Sequence, residues 1–224
     1  MQGFKPASAG TGNLVFKGAI RSAFPTNDLP TGALHELCSS SQEENSASTG
    51  FLAAMLSGLM RGGGACLWIR SNVIIYPHAL CSFGIKPEKI IFLDTRSEKE
   101  KLWVMEEALK CDALVSVVGE IQDLSFTQSR RFQLAVEQSK VTGFLLRHKP
   151  KNLATASVTR WKINHAKSHH DHDLPGVGFP RWNVELLKVR NGKPGNWLME
   201  YRSGKLRDVI VPSDNQDKWI RKIV

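Results

Sequence analysis

The segment at residues 32–60, GALHELCSSSQEENSASTGFLAAMLSGLM, combines a short apolar run, a polar stretch and a longer apolar run. Residues 32–37 predict the strand that starts a sheet, and residues 46–61 predict a helix that packs against it. The run RGGG at residues 61–64 ends this helix, because glycine adopts the left-handed cap conformation at little cost. The segment therefore predicts a strand, loop and helix unit, and the loop is expected at residues 39–48.

In many nucleotide-binding proteins the loop of such a unit is rich in glycine and carries a lysine for the β and γ phosphates. Here residues 39–48 contain no glycine, and no lysine or arginine occurs between Arg21 and Arg61. Glu43 and Glu44 stand where a cation would be expected, and they would repel a triphosphate. We interpret Ser46, Ser48 and Thr49 as helix caps, with residual anion binding at the helix start as the alternative.

Beyond this unit, predicted strands and helices alternate as far as residue 146. Strands are predicted at 66–70, 89–94, 113–118 and 141–146, a short helix at 76–84, and longer helices from residue 97 and over 127–139. The helix from residue 97 opens with a capping-box sequence. Such alternation implies parallel crossover units in one wound sheet.

The rhythm changes after Leu146, where no helix pattern is found. Residues 154–163, 181–189 and 196–201 predict strands with alternating faces, and NGKPG at residues 191–195 predicts a turn. We therefore predict an α/β fold with a mostly parallel sheet flanked by helices and an antiparallel extension. The expected organisation is an irregular lead-in at 1–31, a core domain at 32–202 (parallel part 32–147, antiparallel part 154–202) and a loose basic tail at 203–224.

The net charge of +9 is unevenly distributed along the chain. Residues 1–139 hold 13 basic and 14 acidic side chains, whereas residues 140–224 hold 17 and 7, so the second part carries a net +10. Such a surplus indicates a polyanion or an acidic partner, or simply a solvated basic surface. The four cysteines form no CxxC pair and lie in or beside apolar runs, which predicts buried, reduced thiols in a cytoplasmic protein without a membrane span.

The order of these blocks resembles a RecA-like core, and more specifically the bacterial ImuA family, which is also similar to the cell-division inhibitor SulA. The resemblance spans about residues 32–202. The blocks that carry it are GALHEL (32–37), GFLAAML (50–56), the run LWVMEEALKCDALVSVVGEIQDLSFTQSRRFQLAVEQS (102–139), GFLLR (143–147), TRWKI (159–163) and PRWNVELLKVRNGKPGNWLMEY (180–201).

The resemblance implies an accessory role in damage-induced, error-prone translesion DNA synthesis. The implied partners are an ImuB-type Y-family polymerase homologue, an error-prone DnaE-type polymerase, RecA and single-stranded DNA, with the protein associated with the nucleoid when engaged. Two alternatives remain open: a SulA-like inhibitor that binds FtsZ, and a residual RecA-like ATPase.

Comparison with RecA roles predicts a protein without catalytic activity, cofactor or resident metal. The phosphate-loop lysine has no counterpart, Asn72 stands in the slot of the water-activating glutamate, and Gly119 stands in that of the magnesium-associated aspartate, with Glu120 one residue beyond. An amide cannot act as a general base, so these substitutions argue together against ATP turnover.

Two basic segments are candidate binding regions. Arg147, Lys149 and Lys151, together with Arg160, are predicted to contact single-stranded DNA by charge, the alternative being solvated loop side chains. The tail is predicted to bind a partner protein. Its apolar pair, Trp219 and Ile220, and its basic residues Arg221 and Lys222 are the candidate contacts.

Two further clusters have simpler interpretations. The sequence HAKSHHDHD at residues 165–173 predicts a flexible hairpin loop in which metal binding would be adventitious. Trp161, Trp182 and Trp197 each lie in a predicted strand, where packing explains them and base stacking is the alternative.

Overall fold

Ten strands form one sheet in the computed structural model, which describes residues 15–70, 76–95, 97–169 and 177–209. The strands are β1 (Phe16–Lys17), β2 (Leu34–Ser39), β3 (Ala65–Arg70), β4 (Ile90–Asp94), β5 (Leu114–Glu120), β6 (Thr142–His148), β7 (Thr159–His169), β8 (Phe179–Val189), β9 (Gly195–Arg202) and β10 (Lys205–Asp208). Three α-helices accompany them: α1 (Gln42–Leu59), α2 (Glu98–Leu109) and α3 (Phe126–Ser139). Short 3-10 turns occupy Ala19–Ala23, Met60–Gly62, Pro77–Phe83 and Pro87–Lys89.

The sheet has the order β1-β10-β9-β8-β7-β2-β6-β5-β3-β4. Strands β2 to β6 pair in parallel, and β7 joins them in parallel beside β2. Strands β7 to β10 then pair antiparallel with one another. The predicted fold class is thereby confirmed: a RecA-like α/β architecture with an antiparallel extension.

The two faces of the sheet pack against different helices. Helix α1 covers one face, where Phe51, Trp161 and Trp182 share a core with buried residues of β1 and of β7 to β10. Helices α2 and α3 cover the other face, and the buried cluster there takes no residue from β7 to β10. The interpretation of Trp161 and Trp182 as packing residues is confirmed, since both are buried; Trp197 is partly buried against the same core.

Helix α1 begins earlier than the sequence pattern predicts. Its first residue is Gln42 and its N-cap is Ser41, whose hydroxyl accepts a hydrogen bond from the amide of Glu44. The prediction that Ser46, Ser48 and Thr49 cap the helix is therefore wrong. The polar run is the first turn of the helix, where carboxylates are favoured by the helix dipole, and only a short link separates it from β2.

Both flanking segments contribute to the sheet, contrary to prediction. In the expected irregular lead-in, β1 pairs in parallel with β10, and Phe16 is fully buried among Phe24, Phe51 and Trp161. In the expected loose tail, Leu206 of β10 is likewise buried. Apolar residues in each segment complete the α1 face, and neither segment alone carries enough pattern to indicate a strand.

The cysteines are free thiols, as predicted, but not uniformly buried. Burial raises the pKa of Cys66 to about 12 and that of Cys38 to about 11. Cys81 and Cys111 are exposed, so the prediction of burial is wrong for these two. None of the helices in the described part of the chain is long and apolar enough to cross a membrane.

Candidate functional site

The start of helix α1, where a phosphate would bind in an active nucleotide-binding relative of this fold, holds a carboxylate of the protein itself. Glu44 Oε2 accepts hydrogen bonds from the amide of Ser40 at 2.6 Å and from its hydroxyl at 2.7 Å. The hydroxyl of Ser41 in turn accepts from the amide of Glu44 at 3.2 Å. The amides of Ser40 and Glu44 and the hydroxyl of Ser40 are thus already partnered within the chain.

The charge at this position also opposes a phosphate. Burial raises the pKa of Glu44, but the hydrogen bonds from Ser40 and the charge of Lys162, whose Nζ lies 3.4 Å from Glu44 Oε1, outweigh it and lower the pKa overall. The carboxylate is therefore ionised at neutral pH. An incoming phosphate would have to displace a negative charge that already has a cationic partner.

The end of β5, where a magnesium-associated aspartate would be expected, is also occupied by contacts within the protein. Glu120 Oε1 accepts a hydrogen bond from the indole Nε1 of Trp68 at 3.2 Å. A Cβ atom added at Gly119 would lie 2.9 Å from Met105 Sδ, so an aspartate there would have to displace a buried core side chain. This strand end is shaped by packing against α2.

Several residues singled out from the sequence lie outside the described part of the chain. They are Asn72, the histidines and aspartates of residues 170–173, and the tail residues Trp219, Ile220, Arg221 and Lys222. Their predicted roles remain predictions. Within the described ranges no group of three or more His, Cys, Asp or Glu side chains is placed to hold a metal ion.

A buried ion cluster lies at the junction of β2, β6 and β7. Glu36 is fully buried, and its Oε2 lies 2.9 Å from Nη1 of Arg147, whose side chain is also fully buried. Glu36 Oε1 accepts from Nε of Arg160 at 2.8 Å and from the hydroxyls of Thr155 and Ser157 at 2.7 and 2.6 Å. The carboxylate therefore joins three strands and the loop that precedes β7.

Arg147 extends this cluster to two further backbone segments. Its Nε donates to the carbonyl of Gln122 at 3.2 Å, and its Nη2 donates to the carbonyl of Asn152 at 2.7 Å. Burial raises the pKa of Glu36, but hydrogen bonds from Ser157, Thr155 and Arg147 outweigh that effect, so the pKa is lowered and the carboxylate stays charged.

This arrangement corrects the role predicted for two of the four candidate DNA contacts. The guanidinium of Arg147 is enclosed by protein, and that of Arg160 is mostly buried against Glu36. Neither is free to bind a phosphate, because both pair with the interior carboxylate of Glu36. We assign both residues to positioning the loop between β6 and β7.

The other two candidates, Lys149 and Lys151, are exposed on that loop. The side chain of Lys151 is 84% exposed and lies 3.9 Å from Asp123, too far for a strong pair. The proposed contact of these two lysines with DNA remains a prediction. The loop that carries them is held by the buried cluster instead of moving freely.

Sequence reasoning did not identify Glu36 as important, although a signal was present. Its strand reads LHELCS, and a carboxylate inside a buried central strand requires a buried partner. What the sequence could not supply was the identity of that partner, since Arg147 and Arg160 lie 111 and 124 residues away along the chain.

Comparison with known proteins gives a close match over most of the chain. The protein named Protein ImuA of Caulobacter vibrioides strain NA1000 / CB15N is 31% identical over 195 residues, covering 81% of this chain and 80% of that protein. Protein ImuA of Caulobacter vibrioides strain ATCC 19089 / CIP 103742 / CB 15 gives the same values. No family model matches the chain.

Proposed function

The chain belongs to the ImuA family, and we propose that it is a non-catalytic accessory protein of damage-induced, error-prone translesion DNA synthesis. It would act by binding other proteins and single-stranded DNA. The family membership supports a role in mutagenesis, and the geometry of the described residues supports the absence of catalysis.

The observation that carries this proposal is the filled start of helix α1. A phosphoryl-transfer site needs a cradle of free amides and a cation for the transferred group. Here the carboxylate of Glu44 takes the amide and hydroxyl of Ser40, and its only described cationic neighbour is Lys162. A RecA-like fold whose phosphate position is occupied in this way can still bind other proteins.

The partners we propose are an ImuB-type Y-family homologue and a DnaE-type polymerase, with RecA as a third. These partners follow from the family resemblance. The tail residues Trp219 and Ile220 are proposed to contribute to binding, on the basis of their apolar pair within a basic segment.

Co-purification of the full chain with an ImuB-type protein tests this proposal. We expect recovery of the complex, and a reduction when Trp219 and Ile220 are both replaced by alanine. The matched control is Trp103→Ala, which removes an indole that is 65% exposed on α2. Point substitutions are preferable to deletion from residue 203, because that deletion would remove β10 and its buried Leu206.

Failure of the wild-type chain to recover the ImuB-type protein would reject the accessory role, and equal recovery by the double variant would reject the tail contact. The enzymatic alternative is tested on the same preparation. We expect no phosphate release from ATP above that of a heat-inactivated sample. Turnover that is lost in a Glu120→Gln variant would show that the protein is an ATPase.

A further inference from the structure

One face of the antiparallel extension is left uncovered by the helices of the described chain. Residues of β7 to β10 that point towards α1, such as Val184 and Met199, belong to the buried core there. Their neighbours point to the opposite face, and none of them joins the cluster beneath α2 and α3. A sheet face without a helix is either solvated or a binding surface.

The outer part of this face is cationic. Glu200 of β9 is almost fully buried because two arginines cover it: Arg181 Nη2 lies 2.8 Å from one carboxylate oxygen and Arg207 Nη2 lies 2.6 Å from the other. Lys17 and Lys205 lie on the same face, since their neighbours Phe16 and Leu206 point into the core. We call these four basic residues, Lys17, Arg181, Lys205 and Arg207, the basic face.

Within the described ranges no salt bridge joins Lys17 or Lys205 to a carboxylate; the nearby Asp28 and Asp208 accept hydrogen bonds from the backbone amides of Phe16 and Ala19. Lys205 and, to a lesser degree, Arg61 lower the pKa of Lys17 by hydrogen bonding and by charge repulsion. Arg61 also donates to the carbonyl of Gly204 in the turn before β10. Cations that converge in this way, without a salt bridge to a carboxylate, are stabilised when an anion binds between them.

We propose that the basic face binds the phosphate backbone of single-stranded DNA. The choice of DNA as the polyanion rests on the proposed function, whereas the location and the charge come from the structure. Protein-binding surfaces have an apolar centre depleted in lysine, whereas surfaces that bind nucleic acid are polar and strongly positive. The basic face has the second character, because its four cations surround one carboxylate, that of Glu200, which leaves a net charge of +3.

The contact is electrostatic and independent of base sequence. Arg207 retains 45% exposure of its side chain while paired with Glu200, so part of its guanidinium can still face a phosphate. Lys17 and Lys205 supply point charges at the edge of the sheet. The buried Glu200 holds the two arginines in place, which lowers the entropy lost on binding.

Fluorescence anisotropy with a labelled oligothymidylate of about 20 nucleotides, titrated at several salt concentrations, tests the inference. The test variant is Lys17→Glu with Lys205→Glu. Its matched control is Lys86→Glu with Lys99→Glu, which makes the same change in net charge near β4, at the opposite edge of the sheet. We expect the test variant to bind about tenfold or more weakly, with a salt slope reduced by about 1.4, the value for two lost phosphate contacts.

The inference is overturned if the wild type does not bind, if both double variants weaken binding equally, or if only Lys149→Glu with Lys151→Glu weakens it. Thermal unfolding verifies folding, and Lys17→Gln with Lys205→Gln serves as a milder second variant with the same expected direction. The test variant should still co-purify with the ImuB-type protein. Loss of DNA binding with retained co-purification supports the inference, and undiminished DNA binding by the test variant overturns it. Failure of the wild type to co-purify would instead reject the proposed function.

Discussion

Glu36 and Glu200 are each held between two arginines, yet the two clusters lie in very different surroundings. Glu36 and Arg147 have side chains with 0% exposure, and Arg160 has 14%. Glu200 has 1%, but its partners Arg181 and Arg207 retain 18% and 45%. A glutamate with two arginines therefore forms a buried junction in the parallel part and a partly solvent-exposed surface cluster in the antiparallel extension.

The difference shows how surroundings decide the role of an ion cluster. In the interior, an arginine that loses its carboxylate remains as an uncompensated buried charge. At the surface, water replaces the missing partner and the energetic cost is small. The Glu36 cluster also joins segments that are distant in sequence, whereas the Glu200 cluster joins β8, β9 and β10, which the strand ladder already connects.

The largest effect that separates the two clusters is expected from Glu36→Gln. This change keeps the shape of the side chain but leaves the fully buried Arg147 without a counter-charge. We expect a loss of about 3–5 kcal/mol in the free energy of unfolding, measured by urea denaturation with tryptophan fluorescence. A loss below about 1 kcal/mol would show that Arg147 is neutralised in some other way.

The next effect concerns His35, which is adjacent to Glu36 but points towards α1. Its Nδ1 lies 2.7 Å from Thr159 Oγ1, and its Nε2 lies 2.8 Å from the carbonyl of Pro30. Trp161 Nε1 donates to the same threonine oxygen, so Thr159 can donate its proton to an unprotonated Nδ1. Burial lowers the pKa of His35 from 6.5 to about 4, which agrees with a neutral ring.

The sign of the pH effect follows from this lowered value. Below pH 6.5 the unfolded chain binds a proton that the folded protein takes up only near pH 4, so stability falls as the pH decreases between these values. The loss amounts to about 3 kcal/mol, measured as urea midpoints from pH 7 to 4. A His35→Gln variant should lack this slope. If the variant keeps the full slope, another group causes it.

The smallest effect is expected from Glu200→Gln. Its partner Arg207 is partly exposed, so solvent screens the charge that the substitution releases. We expect a destabilisation of about 1 kcal/mol in the same urea assay. A loss as large as that of Glu36→Gln would remove the contrast between the two clusters.

The stability contributed by Glu36 and Glu200 depends on pH in the same way for both, and differently from that of His35. Burial raises their pKa values, but arginines and, for Glu36, hydroxyl donors outweigh burial and lower them. Their contribution to stability is therefore present at neutral pH and is lost only as the pH falls below the ordinary value of about 4.3. Acid titration should show the histidine phase before the carboxylate phase.

The parallel part of the fold could be predicted from the sequence because its signals are local. Continuous apolar runs indicated β5 and β6, and a capping-box sequence marked the start of α2 at Ser97. The same kind of signal, Ser125 with Gln128, marks the start of α3. In α1, Ser41 and Glu44 also have capping-box spacing, but the polar composition of the run around them is more typical of a loop.

The candidate site was less predictable because its determinants are distant in sequence. Charge and loop position indicated Arg147 and Arg160 as DNA contacts, whereas the fold places both beside Glu36, which is more than 100 residues away. The basic face likewise brings together residues that are distant in sequence: Lys17 and Lys205 become neighbours only when β1 pairs with β10. Composition located the positive charge in the second part of the chain but not on a particular surface.

The pairing of β1 with β10 also has a consequence during biosynthesis. The amide of Ala19 donates to the carboxylate of Asp208 across a separation of 189 residues, and contacts of such long range form late. On the ribosome, Phe16 is made early but can complete its part of the core only after β10 has left the exit tunnel. Until then, the nascent chain exposes an apolar sheet edge, and we expect it to depend on chaperones at that stage.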